Sequence, residues 1–129
     1  MHPLLFDIRK RIGSVNNINE CSVILLHDYG KRIVAEHSKQ VAAEAKRLAM
    51  IYDEDTDKAE LAGILHDISA VIPNDIKIEI AENLHLDILP EEREFPLIIH
   101  QKLSKEISRL LFGVKDESVI SAISCHTTN

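Results

Sequence analysis

Four histidines and one aspartate in this chain are of the types that bind divalent metal ions. His37, His66 and Asp67 come first along the chain, and His100 and His126 follow. A single histidine on an apolar helix face is more often a hydrogen-bonded core residue than a ligand. Four of them on separate helical segments favour a shared ion, because neutral imidazole and carboxylate suit divalent transition metals. The pattern therefore predicts a metal centre.

Helices must position these five residues, because helical periodicity is strong and strand-like alternation is weak along the whole chain. Seven helices are predicted over residues 3–12, 21–29, 31–52, 58–70, 73–83, 96–112 and 117–126, with one acidic turn at 91–94. Gly30 and Gly113 are expected to end helices, while residues 53–57 and Asp116 are expected to cap helix starts. The sequence thus predicts an all-α fold of about six or seven helices.

The third predicted helix illustrates how the histidines are expected to face the interior. Its apolar or semi-apolar positions, spaced by three and four, are Val34, His37, Val41, Ala45, Leu48 and Tyr52. The pair formed by His66 and Asp67 is different, because consecutive side chains on a continuous helix diverge by about 100°. Both could then reach one ion only if it lay beside the helix.

Composition and charge limit the classes of protein to which this chain can belong. Its 129 residues are 45% hydrophobic, which is enough for the core of one domain. The 15 basic against 21 acidic residues give a net charge of −6 with no basic cluster, which excludes a protein that mainly coats nucleic acid or anionic membrane. Apolar runs are too short for a bilayer span, and no signal peptide is recognisable. We expect a cytoplasmic single domain over residues 1–129.

Motifs of other catalytic classes are absent from the sequence. It contains no Walker loop, no dinucleotide-binding glycine fingerprint and no Gly-x-Ser-x-Gly elbow. Cys125 and His126 are neighbours whose side chains diverge on a helix, so a catalytic Cys–His pair is not favoured. Metal chemistry is therefore the main hypothesis.

The order His, His-Asp, His, His resembles the HD-domain metal-dependent phosphohydrolases, and its context resembles their YqeK-type branch. The matching segments are Glu36-His37-Ser38, the run KAELAGILHD over residues 58–67, Ile98-Ile99-His100 and the run SCHTT over residues 124–128. The resemblance extends from His37 to His126, which is most of the chain. It implies that the helices form an HD-domain bundle.

The resemblance also implies an enzyme with two metal ions. Members of the YqeK-type branch hydrolyse diadenosine tetraphosphate symmetrically and hold a two-iron centre, although manganese, zinc and nickel suit the same ligand types. Carried over by position, the ligands of the first metal are His37, His66 and the bridging Asp67, and those of the second are His100 and His126. His66 and Asp67 are then the catalytic pair, at a centre where paired metals activate water and bind phosphoryl oxygens.

Two departures from the YqeK-type pattern bear on this implication. The family carries a lysine three residues after the motif aspartate, and this chain has Ala70 at that position. The phosphate contact is then lost or is supplied by Arg32, Lys102 or Lys105. The family also continues past the His-Thr-Thr motif into a helix that bears an aspartate ligand, whereas this chain ends at Asn129. We therefore expect the C-terminal helices of the family, and that ligand of the first metal, to be missing.

The leading hypothesis is a phosphohydrolase whose partner is a small molecule, namely a nucleotide or dinucleoside polyphosphate. One alternative is a non-catalytic or degraded HD module that binds a nucleotide or a metal. Another is a phosphodiesterase for a cyclic or signalling nucleotide that uses the same cluster. A homodimer is a further expectation, because a missing C-terminal segment would leave apolar surface exposed.

Overall fold

Helices form the regular structure of the computed structural model, which describes residues 1–13 and 17–125 and contains no strand within those ranges. The eight α-helices of the described residues are α1 (Pro3–Ile12), α2 (Ile18–Asp28), α3 (Arg32–Ile51), α4 (Thr56–Leu65), α5 (Lys77–Asn83), α6 (Pro90–Glu94), α7 (His100–Leu110) and α8 (Glu117–Cys125). Short 3₁₀ helices at Ile68–Val71, Asn74–Ile76 and Pro96–Ile99 connect them. The all-α prediction is confirmed. Seven of these helices correspond to predicted helices, and the additional one, α6, corresponds to the acidic turn predicted at residues 91–94.

The helix boundaries follow the capping signals that the sequence contains. The side chain of Asp55 accepts a hydrogen bond from the Lys58 backbone N–H at 3.0 Å, and so caps the start of α4. After α2, Gly30 has a φ of 74°, a conformation that glycine adopts without strain. The N–H of Lys31 then donates to the Leu26 carbonyl at 2.8 Å, which closes the end of that helix.

Buried apolar side chains from most of the helices form one core. They include Leu5, Ile8, Leu25, Leu26, Leu65, Ile68, Ile80, Ile99, Leu103, Ile107, Ile120 and Ile123. Helix α4 packs against both α3 and α8, while α7 packs against α8 and the 3₁₀ helix at Ile68–Val71. This arrangement makes neighbours of the elements that carry His37, His66, Asp67 and His100. No helix in the described ranges is long and apolar enough to span a bilayer.

The buried face of α3 differs from the predicted one. Its buried residues are the small side chains of Ala35, Ser38, Ala42 and Ala49. The predicted face is only half-buried at its valines, and Leu48 and Tyr52 are exposed. The expectation that His37 points into the core is also wrong, because its side chain is exposed. The cause is the close approach of α4, which leaves room for small residues only.

Gly63 on α4 permits this close approach. A Cβ atom at position 63 would lie 2.8 Å from the Ala42 Cα and 3.0 Å from its backbone nitrogen. Such distances are shorter than van der Waals contact, so only glycine fits without a shift of one helix. The two helices that carry His37 and His66 are therefore held in backbone contact at this point.

Candidate metal centre

Three of the predicted ligands converge where α3 meets the end of α4. Ligand atoms of His37, His66 and Asp67 all lie within 4.8 Å of one another. The rings of His37 and His66 have centroids 5.6 Å apart and planes inclined at 61°. His66 is buried, the side chain of Asp67 is 30% exposed, and His37 is exposed. The cluster therefore opens to the surface, where ions and water can reach it.

The end of α4 brings the consecutive pair His66 and Asp67 together. The helix ends at Leu65 and does not continue to residue 70 as predicted. His66 keeps a helical backbone with φ −60° and ψ −28°, whereas Asp67 has φ −115° and ψ 20°. The chain thus leaves the α-helical path between the two side chains. His66 Nε2 then lies 3.2 Å from Asp67 Oδ2, so the divergence expected for a continuous helix does not separate them.

Backbone carbonyls orient two of the histidine rings. His66 Nδ1 donates to the Gly63 carbonyl at 2.6 Å, and His100 Nδ1 donates to the Leu97 carbonyl at 2.9 Å. A carbonyl can only accept, so the proton is on Nδ1 and Nε2 becomes the ligand atom. Such a hydrogen bond from the second ring nitrogen is typical of metal-bound histidines.

Hydrogen bonds tie the segment after Asp67 to the helix that carries His100. The Ser69 N–H donates to Ser104 Oγ at 3.1 Å, and Ser69 Oγ donates to the His100 carbonyl at 2.9 Å. The 3₁₀ helix is thereby held against the first turn of α7. His100, the fourth predicted ligand within the described residues, lines a cavity together with Asp67 but is not among the residues whose ligand atoms lie within 4.8 Å of one another.

The electrostatics of the cluster keep its carboxylate ionised. The hydrogen bond from His66 holds the pKa of the Asp67 carboxyl below its ordinary value against the effect of burial, and the charges of His100 and His37 act in the same direction. Burial lowers the pKa of His66, but its contacts with the Asp67 carboxylate and the Gly63 carbonyl outweigh burial and raise it. Metal binding requires the ionised carboxylate and the neutral imidazole, so His66 would give up its Nε2 proton, and with it the hydrogen bond to Asp67, when an ion binds. With that proton released, two imidazoles and one carboxylate form a donor set that fits a divalent transition metal.

A cavity of about 340 Å³ adjoins the cluster. Asp67 and His100 line it, together with Ala70 and the two lysines Lys31 and Lys77. Its volume lies at the lower end of the range for small-molecule sites. Two of the predicted metal ligands, Asp67 and His100, thus form part of the wall of a cavity that also presents positive charge.

The three predicted substrate-binding cations lie in different surroundings. Arg32 lines a second, open depression on the His37 side of α3. Lys102 Nζ donates to Glu92 Oε1 at 2.9 Å and to the Asp87 carbonyl at 2.8 Å, so its charge is engaged by the loop around α6. Lys105 is half-buried on α7. The fifth predicted ligand, His126, lies outside the described residues.

Sequence reasoning did not single out Lys77, although it lines the cavity. It is one of 15 basic residues, and no motif or spacing distinguishes it from the others. Its burial depends on the packing of α5 and the 3₁₀ helices, which local sequence patterns do not report.

The buried carboxylate of Glu92 should make stability depend on pH. Glu92 is 6% exposed and accepts hydrogen bonds from the Leu89 N–H at 2.7 Å and from Lys102. Burial raises its pKa, but these two hydrogen bonds outweigh burial and hold the pKa below its ordinary value. Its stabilising contribution is therefore complete above the pKa of the unfolded chain, about 4.3, and is lost as pH falls through the folded-state pKa.

We expect Glu92→Gln to lower the free energy of unfolding by about 1–3 kcal/mol at pH 7, since Lys102 loses its charged acceptor. The difference from the wild type should shrink below about pH 4, where the wild-type carboxyl also becomes protonated. Urea unfolding at several pH values measures both effects. Glu91→Gln, at the exposed neighbouring carboxylate, is the matched control. A difference that stays constant with pH would contradict this account.

Comparison with known proteins identifies the family. The family model for the HD domain matches residues 34–129. The chain belongs to the HD-domain family. This HD-domain chain is 32% identical to a solved structure from Clostridium acetobutylicum, described as a predicted HD superfamily hydrolase involved in NAD metabolism. The two superpose with a TM-score of 0.74 over 91% of this chain and 60% of the other. The resemblance drawn from the histidine pattern is thereby confirmed.

Curated relatives of the HD-domain chain include enzymes that are named for a defined substrate. A symmetrical bis(5'-nucleosyl)-tetraphosphatase from Staphylococcus aureus is 39% identical over 94 residues, which cover 71% of this chain and 47% of the enzyme. A protein from Lactococcus lactis subsp. cremoris, described only by its position in the pepC 5' region, is 40% identical over 117 residues, covering 81% of this chain and 60% of that protein. The matched part of the HD-domain chain therefore spans 47% of the length of the Staphylococcus aureus enzyme and 60% of the length of the Lactococcus lactis protein.

Proposed function

We propose that this HD-domain chain is a metal-dependent phosphohydrolase that cleaves a nucleotide or dinucleoside polyphosphate, with diadenosine tetraphosphate as the first substrate to test. The convergence of His37, His66 and Asp67 within 4.8 Å carries the proposal, because these types of ligand suit divalent transition metals. The symmetrical tetraphosphatase among the relatives supports this choice of substrate.

In this proposal, His37, His66 and Asp67 hold a first metal ion. His100 and His126 would hold a second ion, with Asp67 as the ligand that the two ions share. Iron is the first candidate, and manganese, zinc and nickel are alternatives for the same ligand types. Metal ions bound by these residues supply a water of lowered pKa and positive charge for phosphoryl oxygens.

The protein's own contribution is to fix ligands and to shape the substrate cavity. The Gly63 and Leu97 carbonyls hold the rings of His66 and His100 in place, so binding requires little reorganisation. Val34 and Leu97 give the cavity apolar surface against which a nucleobase can pack. Lys31 and Lys77 supply positive charge for the phosphates.

The proposed reaction consumes one water molecule. The oxygen of the water bonds to one of the two middle phosphorus atoms, and the bond from that phosphorus to the central oxygen, which joins it to the other middle phosphorus, breaks. The proton released by the water ends on the leaving phosphate or in solvent. Both products are ADP, and a soluble nucleotide substrate of this kind is consistent with a cytoplasmic protein.

The first test measures metal content and turnover in one preparation. Purified protein loaded with iron under reducing conditions should hold about two metal ions per chain. It should convert diadenosine tetraphosphate to ADP as the sole nucleotide product, and a chelator should abolish the reaction. Chromatography of the products and elemental analysis are the measurements.

Two control substrates separate the alternatives to this function. Faster hydrolysis of a cyclic dinucleotide than of diadenosine tetraphosphate would favour a phosphodiesterase. Binding of the nucleotide without turnover by the metal-loaded protein would favour a non-catalytic module. Less than one bound metal together with no hydrolysis would overturn the proposal.

A further inference from the structure

Lys77 is a buried cation in the wall of the cavity beside the metal cluster. Lys77 is only 2% exposed to solvent, although lysine is among the side chains least often buried in proteins. Its Nζ donates to the Ser69 carbonyl at 3.0 Å and to the Ile72 carbonyl at 2.7 Å. No carboxylate within the described residues forms an ion pair with it at 4.0 Å or less. The charge is therefore only partly compensated in the ligand-free protein.

The surroundings of Lys77 disfavour its charge and favour an anion. Burial lowers its pKa to about 8, the positive charge of Lys31 contributes in the same direction, and the Asp67 carboxylate opposes them. Two cations thus face a cavity whose one lining carboxylate belongs to the metal cluster. A multiply charged anion in this cavity would relieve both the desolvation and the repulsion.

The geometry of Lys77 leaves a donor for such an anion. An ammonium group carries three N–H bonds, and the two backbone carbonyls take two of them. The same carbonyls belong to the segment that follows Asp67, so the ammonium is fixed relative to the cluster. A fixed, partly desolvated ammonium binds an anion more strongly than a mobile surface lysine, because it loses less conformational entropy on binding.

We propose that Lys77 binds the polyphosphate part of the substrate, at a position set by its two bonds to the Ser69 and Ile72 carbonyls. The inference rests on the phosphohydrolase function proposed above. It assigns to the cavity a phosphate subsite next to the metal cluster, with Lys31 at its exposed side. The adjoining apolar residues Val34 and Leu97 are then left for the nucleoside.

Binding of inorganic tripolyphosphate to the purified metal-loaded protein tests this inference without requiring turnover. We expect Lys77→Met to raise the dissociation constant about tenfold or more, the range for a lost charge-assisted hydrogen bond. Lys10→Met, which removes an equal charge from the exposed face of α1, should change it less than twofold. Isothermal calorimetry measures the affinity, and elemental analysis verifies that the variant keeps its metal.

The outcomes separate binding from a purely structural role of Lys77. If Lys77 only holds the segment after Asp67 in place, its replacement would lower the melting temperature. The folded Lys77→Met variant would then still bind tripolyphosphate with a dissociation constant within twofold of the wild-type value. That result would overturn the inference. If the phosphohydrolase function alone were wrong, Lys77-dependent tripolyphosphate binding would persist while diadenosine tetraphosphate stayed intact.

A second measurement on the wild type covers the case in which Lys77→Met does not fold. In zinc-loaded protein, the Cε signal of Lys77 should shift on addition of tripolyphosphate, with assignment through the backbone. The Cε signal of Lys10 provides the reference for non-specific effects. Equal, small shifts at both lysines would count against the subsite.

Discussion

Replacing Asp67 by asparagine is expected to remove both bound metal and hydrolysis of diadenosine tetraphosphate. Asparagine keeps the shape of the side chain but loses the negative charge that His66, His100 and His37 all stabilise. Loss of partners that merely orient metal ligands costs about 10–100-fold in affinity or activity. Loss of a proposed bridging ligand should cost more, so we expect a drop in turnover beyond about 100-fold.

The matched control for this variant is Asp75→Asn. Asp75 is an exposed carboxylate in the same connecting segment, outside the cavity and the cluster. Elemental analysis should give wild-type metal content for the control and a deficit for Asp67→Asn, while circular dichroism should show equal helix content in both. Wild-type metal content in Asp67→Asn would show that the cluster is not a metal site.

Replacing Gly63 by alanine is expected to reduce both stability and metal affinity. The new Cβ would lie 2.8 Å from the Ala42 Cα, so the backbones of α3 and α4 must separate. Overpacking of this kind costs about 1–3 kcal/mol, and a shift of backbone atoms lies at the upper end. The higher helix propensity of alanine returns about 1 kcal/mol at most. Separation of the helices would also move His37 away from His66.

Urea unfolding and metal titration test the Gly63 prediction together. Ala59→Ser, which adds one heavy atom one turn earlier on the same helix, should leave metal affinity unchanged, because Ala59 is only half-buried. A Gly63→Ala protein as stable as the wild type, with the same metal affinity, would refute the proposed role of this contact.

Several local features were predictable because they depend on neighbouring residues. The capping carboxylate of Asp55 and the helix-ending Gly30 act within one turn, so their roles are visible in the sequence itself. The predicted ligands were identified by type, since an aspartate inside an apolar run is costly without a partner. The structure places ligand atoms of His37, His66 and Asp67 within 4.8 Å of one another, and their role as metal ligands stays a prediction.

Other features depended on contacts between distant residues and were missed. The apolar pattern of α3 favoured the face with His37, but the small residue Gly63 on another helix selects the face with Ala42. The pattern of α4 continued through Asp67, yet the α-helix ends before His66. The segment that follows is bonded to α7 through Ser69, a contact that helical periodicity cannot report.

The helical class follows from the sequence alone, and so does the choice of candidate ligands, because periodicity, capping and side-chain chemistry are properties of local residues. The tertiary structure decided which side chains share one site and which charges are buried. Lys77 shows the difference most clearly, since it is one basic residue among 15 in the sequence and a buried cation beside Asp67 in the fold. Burial is the sum of packing against several elements, so no single segment of the chain encodes it.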